Sequence, residues 1–174
     1  MKDFLEISKY ILPSLVVFMA AYLVIREFLK REEKKQKFDL YLTNQKEITP
    51  IRLQAYERLI IFLERIHPES LIIRENENGL NNQQFQHKLI NSIRTEFEHN
   101  LSQQIYISPK LWVLLKDAKD NMIQLINAEA LQLSPTDTSL GLSKAVIEAY
   151  MQLQNPAINK AIDALKEEIG LIWK

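Results

Sequence analysis

The stretch Tyr10-Ile11-Leu12-Pro13-Ser14-Leu15-Val16-Val17-Phe18-Met19-Ala20-Ala21-Tyr22-Leu23-Val24-Ile25 carries no charge over 16 residues and stops at Arg26. A helix rises about 1.5 Å per residue, so about 20 residues cross a hydrocarbon core of roughly 30 Å. The run alone falls short of that length. Extending it to Ile7 and Leu29 reaches it, because Lys9 and Arg26 can lay their methylenes in the apolar zone and lift their charges to the headgroups. Tyr10 and Tyr22 suit interfacial positions, and Pro13 falls one turn inside, where a kink is tolerated. Beyond the run, Arg26, Lys30, Arg31, Lys34, Lys35 and Lys37 follow within a dozen residues, against Lys2 and Lys9 before it. The positive-inside rule then places the N-terminus outside and the rest of the chain in the cytoplasm, as a single-pass protein of the cell (inner) membrane.

Three other readings of the run are weaker. A cleaved signal peptide carries its charge before the apolar stretch and small residues at its cleavage site, whereas Ala20-Ala21-Tyr22-Leu23 leads straight into charged residues. A buried core helix is compatible with the length, which is borderline. An amphipathic surface helix is not, since Leu15 to Ile25 is apolar all round.

The remaining sequence predicts an all-α fold: an N-terminal transmembrane helix continuing into a stalk, then a small four- to five-helix cytoplasmic bundle. Residues 1–37 make the anchor and charged stalk, with Glu27–Arg31 and Glu33–Lys37 at supportive i,i+4 spacing. Residues 38–174 are long enough for one domain. Three glycines in the whole chain leave little of the punctuation an all-β fold needs. Thr49-Pro50 reads as the start of the next helix and His67-Pro68 as its end, around a stripe of Tyr56, Leu59, Ile60, Leu63 and Ile66. Leu71 to Arg74 is open between strand and helical turn. Asn81 with Gln84 forms a capping box, with Leu80 able to staple to Phe85; Leu89, Ile93, Phe97 and Leu101 follow. Ser108-Pro109 opens a further helix, and after a loop at Ser134 to Gly141 two shorter ones follow, over about Ser143 to Gln154 and from Asn155-Pro156 onward.

The segments Leu53-Gln54-Ala55-Tyr56-Glu57-Arg58, Phe62-Leu63-Glu64-Arg65-Ile66 and Ile93-Arg94-Thr95-Glu96-Phe97-Glu98-His99-Asn100-Leu101-Ser102-Gln103-Gln104 resemble an uncharacterised family of bacterial single-pass membrane proteins, a domain of unknown function. The resemblance spans most of the chain, anchor included. It implies the architecture and supplies no reaction, cofactor or catalytic residue.

Composition excludes several chemistries. The chain is neutral overall, but residues 38–174 hold 14 Lys+Arg against 17 Asp+Glu, and this mildly acidic balance argues against a nucleic-acid binder. With no cysteine, disulfides, thiolate nucleophiles and Cys-ligated metals are absent together. There is no Gly-rich phosphate loop, Ser-centred elbow or kinase signature.

Two Glu-x-x-His patterns, Glu64 to His67 and Glu96 to His99, match the motif by which helical bundles hold paired iron or manganese ions. Projection at about 100° per residue turns His99 away from the Leu89–Ile93–Phe97 stripe, and His67 sits at a helix end, so surface and capping roles compete with the metal reading. Glu129 projects onto an apolar face and would need a partner there, which suggests an ion pair with Arg52, or failing that Arg94. Trp112 and Trp173 read as core or interface anchors. The leading expectation is a membrane-anchored interaction or scaffold protein, whose partners are the lipid bilayer and a protein or a second copy; the alternative is a membrane-associated di-metal enzyme. No cofactor is otherwise expected.

Overall fold

The computed structural model describes residues 2–172, with side chains described from Leu15 to Leu171 apart from Asn44. Every regular element among them is helical: α1 (Lys2–Ile66), α2 (Pro68–Glu75), α3 (Asn82–His99), a short 3-10 turn (Leu101–Ile105), α4 (Pro109–Ala130), α5 (Ser139–Met151) and α6 (Ala157–Ile172). The chain divides into two compact units, Met1–Thr49 and Pro50–Lys174, so the boundary expected after residue 37 falls inside the first.

The first unit consists of α1 as far as Thr49. Its side chains from Leu15 to Ile25 are exposed on every side of the helix, as are those of Tyr22 and Arg26. Among the described residues no helix is long and apolar enough to cross a membrane. The part of the run whose side chains are described holds eleven residues, about 16 Å of helix, where about 30 Å is required. Tyr10 and Pro13 lie outside the described side chains. In the stalk Arg31 donates to Glu27 one turn back, the pairing its spacing predicts.

The helix start expected at Thr49-Pro50 is not one, because α1 continues through it. Proline inside a helix lacks the N–H that would bond back four residues, here to the carbonyl of Lys46, and loses that one bond without ending the element. Lys46 and Pro50 are both exposed residues, so the missing bond falls on a solvated stretch of the helix.

The second unit packs around a single core. From α1 it takes Ala55, Tyr56, Leu59, Phe62, Leu63 and Ile66, a stripe at i, i+4, i+7 and i+11 spacing, each at most 1% exposed. α4 packs against α3, α5 and α6, and supplies Leu111, Leu115, Ala118, Met122 and Ile126 to the interior. Leu71 to Arg74 is helical: Pro68 takes the first position of α2, Leu71 and Ile72 turn inward and Ile73 outward. Among the described residues this element brings the helices of the unit to six, counting the end of α1, where four to five were expected.

Local sequence chemistry sets the ends. The Asn81 side chain accepts from the Gln84 N–H while the Gln84 side chain accepts from the Asn81 N–H, completing the capping box. Gly79, at φ +90°, makes the turn before it in a backbone region that side chains disfavour. α3 stops at His99, so Leu101 is in the 3-10 turn, partly exposed, rather than on the helical stripe. The Ser108 hydroxyl caps α4 by accepting the Leu111 N–H, with Pro109 at the first position.

The loop between α4 and α5 is tied to the start of α3 by Asn82, which is buried. Its N–H donates to the Asp137 carbonyl, its side-chain amide donates to the Ser134 carbonyl and its side-chain oxygen accepts from the Leu142 N–H. Gln83 N–H to Pro135 and Ser139 N–H to Leu80 complete the latch.

Urea titration should resolve this packing. Leu115→Ala, at a fully buried position, is expected to cost about 2–5 kcal/mol of unfolding free energy. Leu140→Ala, at a position 75% exposed, should change it by less than about 0.5 kcal/mol. Equal losses at the two sites would contradict the core as described.

Candidate functional site

Two features of the second unit bring polar side chains together from distant parts of the chain. The first lies at the start of α4. A helix begins with unpaired N–H groups and a partial positive charge, both of which suit a carboxylate. Glu168 of α6 provides it: one oxygen accepts the Ser108 N–H at 2.9 Å and the other accepts the Ser108 hydroxyl. The first oxygen also accepts from the Tyr56 hydroxyl at 2.9 Å, and that hydroxyl accepts from Arg52 at 2.8 Å. Arg52 donates again to the Tyr106 carbonyl at 3.2 Å, closing the chain of bonds onto the residues that precede α4. Thus α1, α4 and α6 are pinned at one point. Burial, and then the bond to Glu168, raise the Tyr56 hydroxyl above its ordinary pKa of 10.0, against the opposing pull of Arg52.

The second feature is a cavity of about 510 Å³ between α4 and the residues running from the end of α5 into α6. Its apolar wall includes Met122, Leu125, Leu153 and Ile158, with Asp117 and Lys160 among its polar residues. Tyr150 also lines it, and the Tyr150 hydroxyl is buried with no hydrogen-bond partner. The Tyr150 ring meets His67 edge-on at 4.9 Å. Burial, reinforced by the charge of Glu64, raises the pKa of this hydroxyl too. A mixed lining of this size suits a short apolar segment or a small amphipathic molecule.

The residues singled out by sequence fall elsewhere. Glu64 and His99 are exposed, His67 packs on Tyr150, and Glu96 is bound by Arg65 at 2.8 Å. No three His, Asp or Glu side chains among the described residues gather into a metal-binding group. Arg52 is engaged with Tyr56 and Tyr106, and the ion pair expected between Arg52 and Glu129 is not among those of the described residues. Glu129 is half-buried in the last turn of α4, and Arg94 is exposed. Trp112 stacks on Phe97 at 5.2 Å, and Phe97 in turn meets Phe62 at 5.7 Å, so Trp112 belongs to the margin of the core. Trp173 lies outside the described residues.

Sequence reasoning found Ser108 as a cap and missed Glu168. The signal was present, since Glu168 stands three residues after the buried Leu165 and so on the inward side of α6, while Glu167 projects into solvent. Tyr150 and the cavity left no such trace, because three separate elements build the wall.

Residues 2–172 match a family described as a family of unknown function, DUF7935. Comparisons with curated proteins and with solved structures return no match.

A raised native pKa means that the folded protein keeps a proton the unfolded chain releases, so this stabilisation is present below about pH 10 and is lost as pH climbs through the native value. Unfolding free energy measured from pH 8 to 11 should therefore fall above about pH 10, and Tyr56→Phe should flatten part of the fall, the rest belonging to Tyr150. At neutral pH the same variant should lose about 1.5–3 kcal/mol with its bond to a charged group. An unchanged slope would remove Tyr56 from the titration.

Proposed function

The chain belongs to that family, whose function is undefined, and we propose that it is a membrane-tethered docking protein, single-pass, with its helical second unit on the cytoplasmic side. The observation carrying this reading is the circumferential exposure of Leu15 to Ile25. A helix facing water on one side and a core on the other needs only one apolar stripe. Eleven consecutive apolar residues with no covered side leave each large side chain about 1.5–3 kcal/mol short of the free energy that burial would supply. A hydrocarbon environment supplies it, and Tyr10 to Ser14 extend the run in the N-terminal direction. The basic segment from Arg26 to Lys37 then lies against anionic headgroups and orients the chain.

The docking half of the reading uses the cavity lined by Met122, Tyr150, Leu153 and Ile158. Its wall is mostly apolar, so an occupant gains burial, with Asp117 and Lys160 at hand for polar contact. A protein partner offering an apolar side chain beside a polar or charged one meets this lining.

Fractionation tests the tether. Wild-type chain should stay in the membrane pellet through alkaline carbonate, and the double variant Val17→Arg, Phe18→Arg should move to the soluble fraction, since each Arg at the centre of a span costs about 2.5–3.5 kcal/mol. Wild-type protein in the carbonate supernatant would sink the reading. For docking, Leu153→Glu alters a side chain 46% exposed at the cavity. Its melting temperature should match wild type while a partner crosslinked in native membranes is lost; retention of that partner would rule the cavity out.

A further inference from the structure

We propose that Phe38 to Thr49 of α1 pairs in parallel with the same segment of a second copy of this chain, as a short two-stranded coiled coil. The side chains of Phe38, Tyr41, Leu42 and Ile48 are exposed, between 40% and 60%. At about 100° per residue they share an arc of roughly 120° with Gln45 and Thr49, while Asp39, Thr43, Lys46 and Glu47 point away from it. The spacing is that of a heptad seam, with Phe38 and Gln45 at one core position and Tyr41 and Ile48 at the other. Within the helix Gln45 donates to the Tyr41 hydroxyl at 2.8 Å, which confirms that these two lie along one face. Leu40 is the exposed apolar side chain that this seam leaves out.

A second copy fits the seam better than an unrelated helix because the seam is self-complementary. It contains no charge, so identical segments in register meet no repulsion. Gln45 carries a donor and an acceptor and is satisfied by Gln45 of the second copy, and a single polar residue in an apolar seam is the device that fixes register in paired helices. The same count continued toward the N-terminus places Arg31 and Lys34 in the seam with Lys30, Lys35 and Lys37 on its flanks. Two copies repel there, so the contact begins at Phe38. Twelve residues of pairing are marginal in solution. Confinement of both chains to one membrane, in one orientation, raises their effective concentration and sets the parallel direction; this step rests on the tether proposed above.

The chain has no cysteine, which gives a clean background for the test. Single variants Phe38→Cys, Tyr41→Cys, Gln45→Cys and Ile48→Cys probe the seam, and Asp39→Cys, Thr43→Cys and Lys46→Cys probe the outward side. A disulfide needs Cα atoms within about 7 Å, a condition that equivalent seam positions of a parallel pair approach and outward positions do not. On oxidation of the full chain in its membranes, covalent dimer is expected at the seam positions at about fivefold or more over the outward ones. Adding Gln45→Lys to Tyr41→Cys should abolish most of that dimer by bringing two like charges into the seam. Equal dimer at all positions, no dimer, or a single reactive position with decline on both sides, as an antiparallel pair gives, would each overturn the proposal. Fractionation of the same samples reads the tether separately: seam-selective crosslinking of a soluble chain, oxidised at high concentration, keeps the dimer and removes the tether, and unselective crosslinking in the pellet does the reverse.

Discussion

The carboxylate of Glu168 against the first turn of α4 is the contact on which the geometry of the second unit rests. α4 is the helix that packs on α3, α5 and α6, so the position of its start determines where those three can lie. An N-terminus needs acceptors for its free N–H groups, and this one is served twice, by its own Ser108 hydroxyl and by a carboxylate from α6. The carboxylate is in turn held by Tyr56, whose ring is part of the core and whose hydroxyl is part of the polar chain. Packing and electrostatics therefore converge on the same side chain. Arg52 balances the charge of Glu168 through that hydroxyl, which keeps a partly buried carboxylate from standing unpaired.

What was legible in the sequence was local. Asn81 with Gln84, Ser108 with Pro109, and His67 with Pro68 mark helix ends because the groups that satisfy a cap lie within four residues of it. The apolar stripes of α1, α3 and α4 were legible for a similar reason, since one helix face is a periodic property of one segment. Pro50 shows the limit of such reasoning. Its preference for a first turn is a tendency of a few kcal/mol, and a helix supported on both sides absorbs the loss of one hydrogen bond. Leu71 to Arg74 was ambiguous because four residues are too few to display a period, and only the proline before and the buried Leu71 and Ile72 decide it.

The polar contacts were far less legible, and the separation of their partners explains why. Tyr56 and Glu168 are 112 residues apart, and nothing near either announces the other. Arg52 donates to Tyr56 and Tyr106, where the sequence suggested Glu129 as its partner, because a helical projection gives a direction and not a neighbour. The two Glu-x-x-His patterns fail in the same way. Their spacing places Glu and His one turn apart, but a metal needs ligands from facing helices, and Glu96 is already committed to Arg65. The cavity at Tyr150 has walls from three elements, so its volume is a property of the assembled unit alone.

The Asn82 latch alters what may be assumed about the segment between α4 and α5. Connecting loops ordinarily accept insertions and deletions, since their backbone bonds to water and their length is free. Here Ser134, Pro135 and Asp137 each offer a carbonyl to a fixed donor at the start of α3, and Ser139 returns an N–H to Leu80. One residue added after Ser134 would shift the later partners, the carbonyls of Pro135 and Asp137 and the N–H groups of Ser139 and Leu142, away from groups at the start of α3 that they now satisfy. The length of this loop is therefore set by hydrogen bonds to the start of α3, as the length of a helix is set by its own caps.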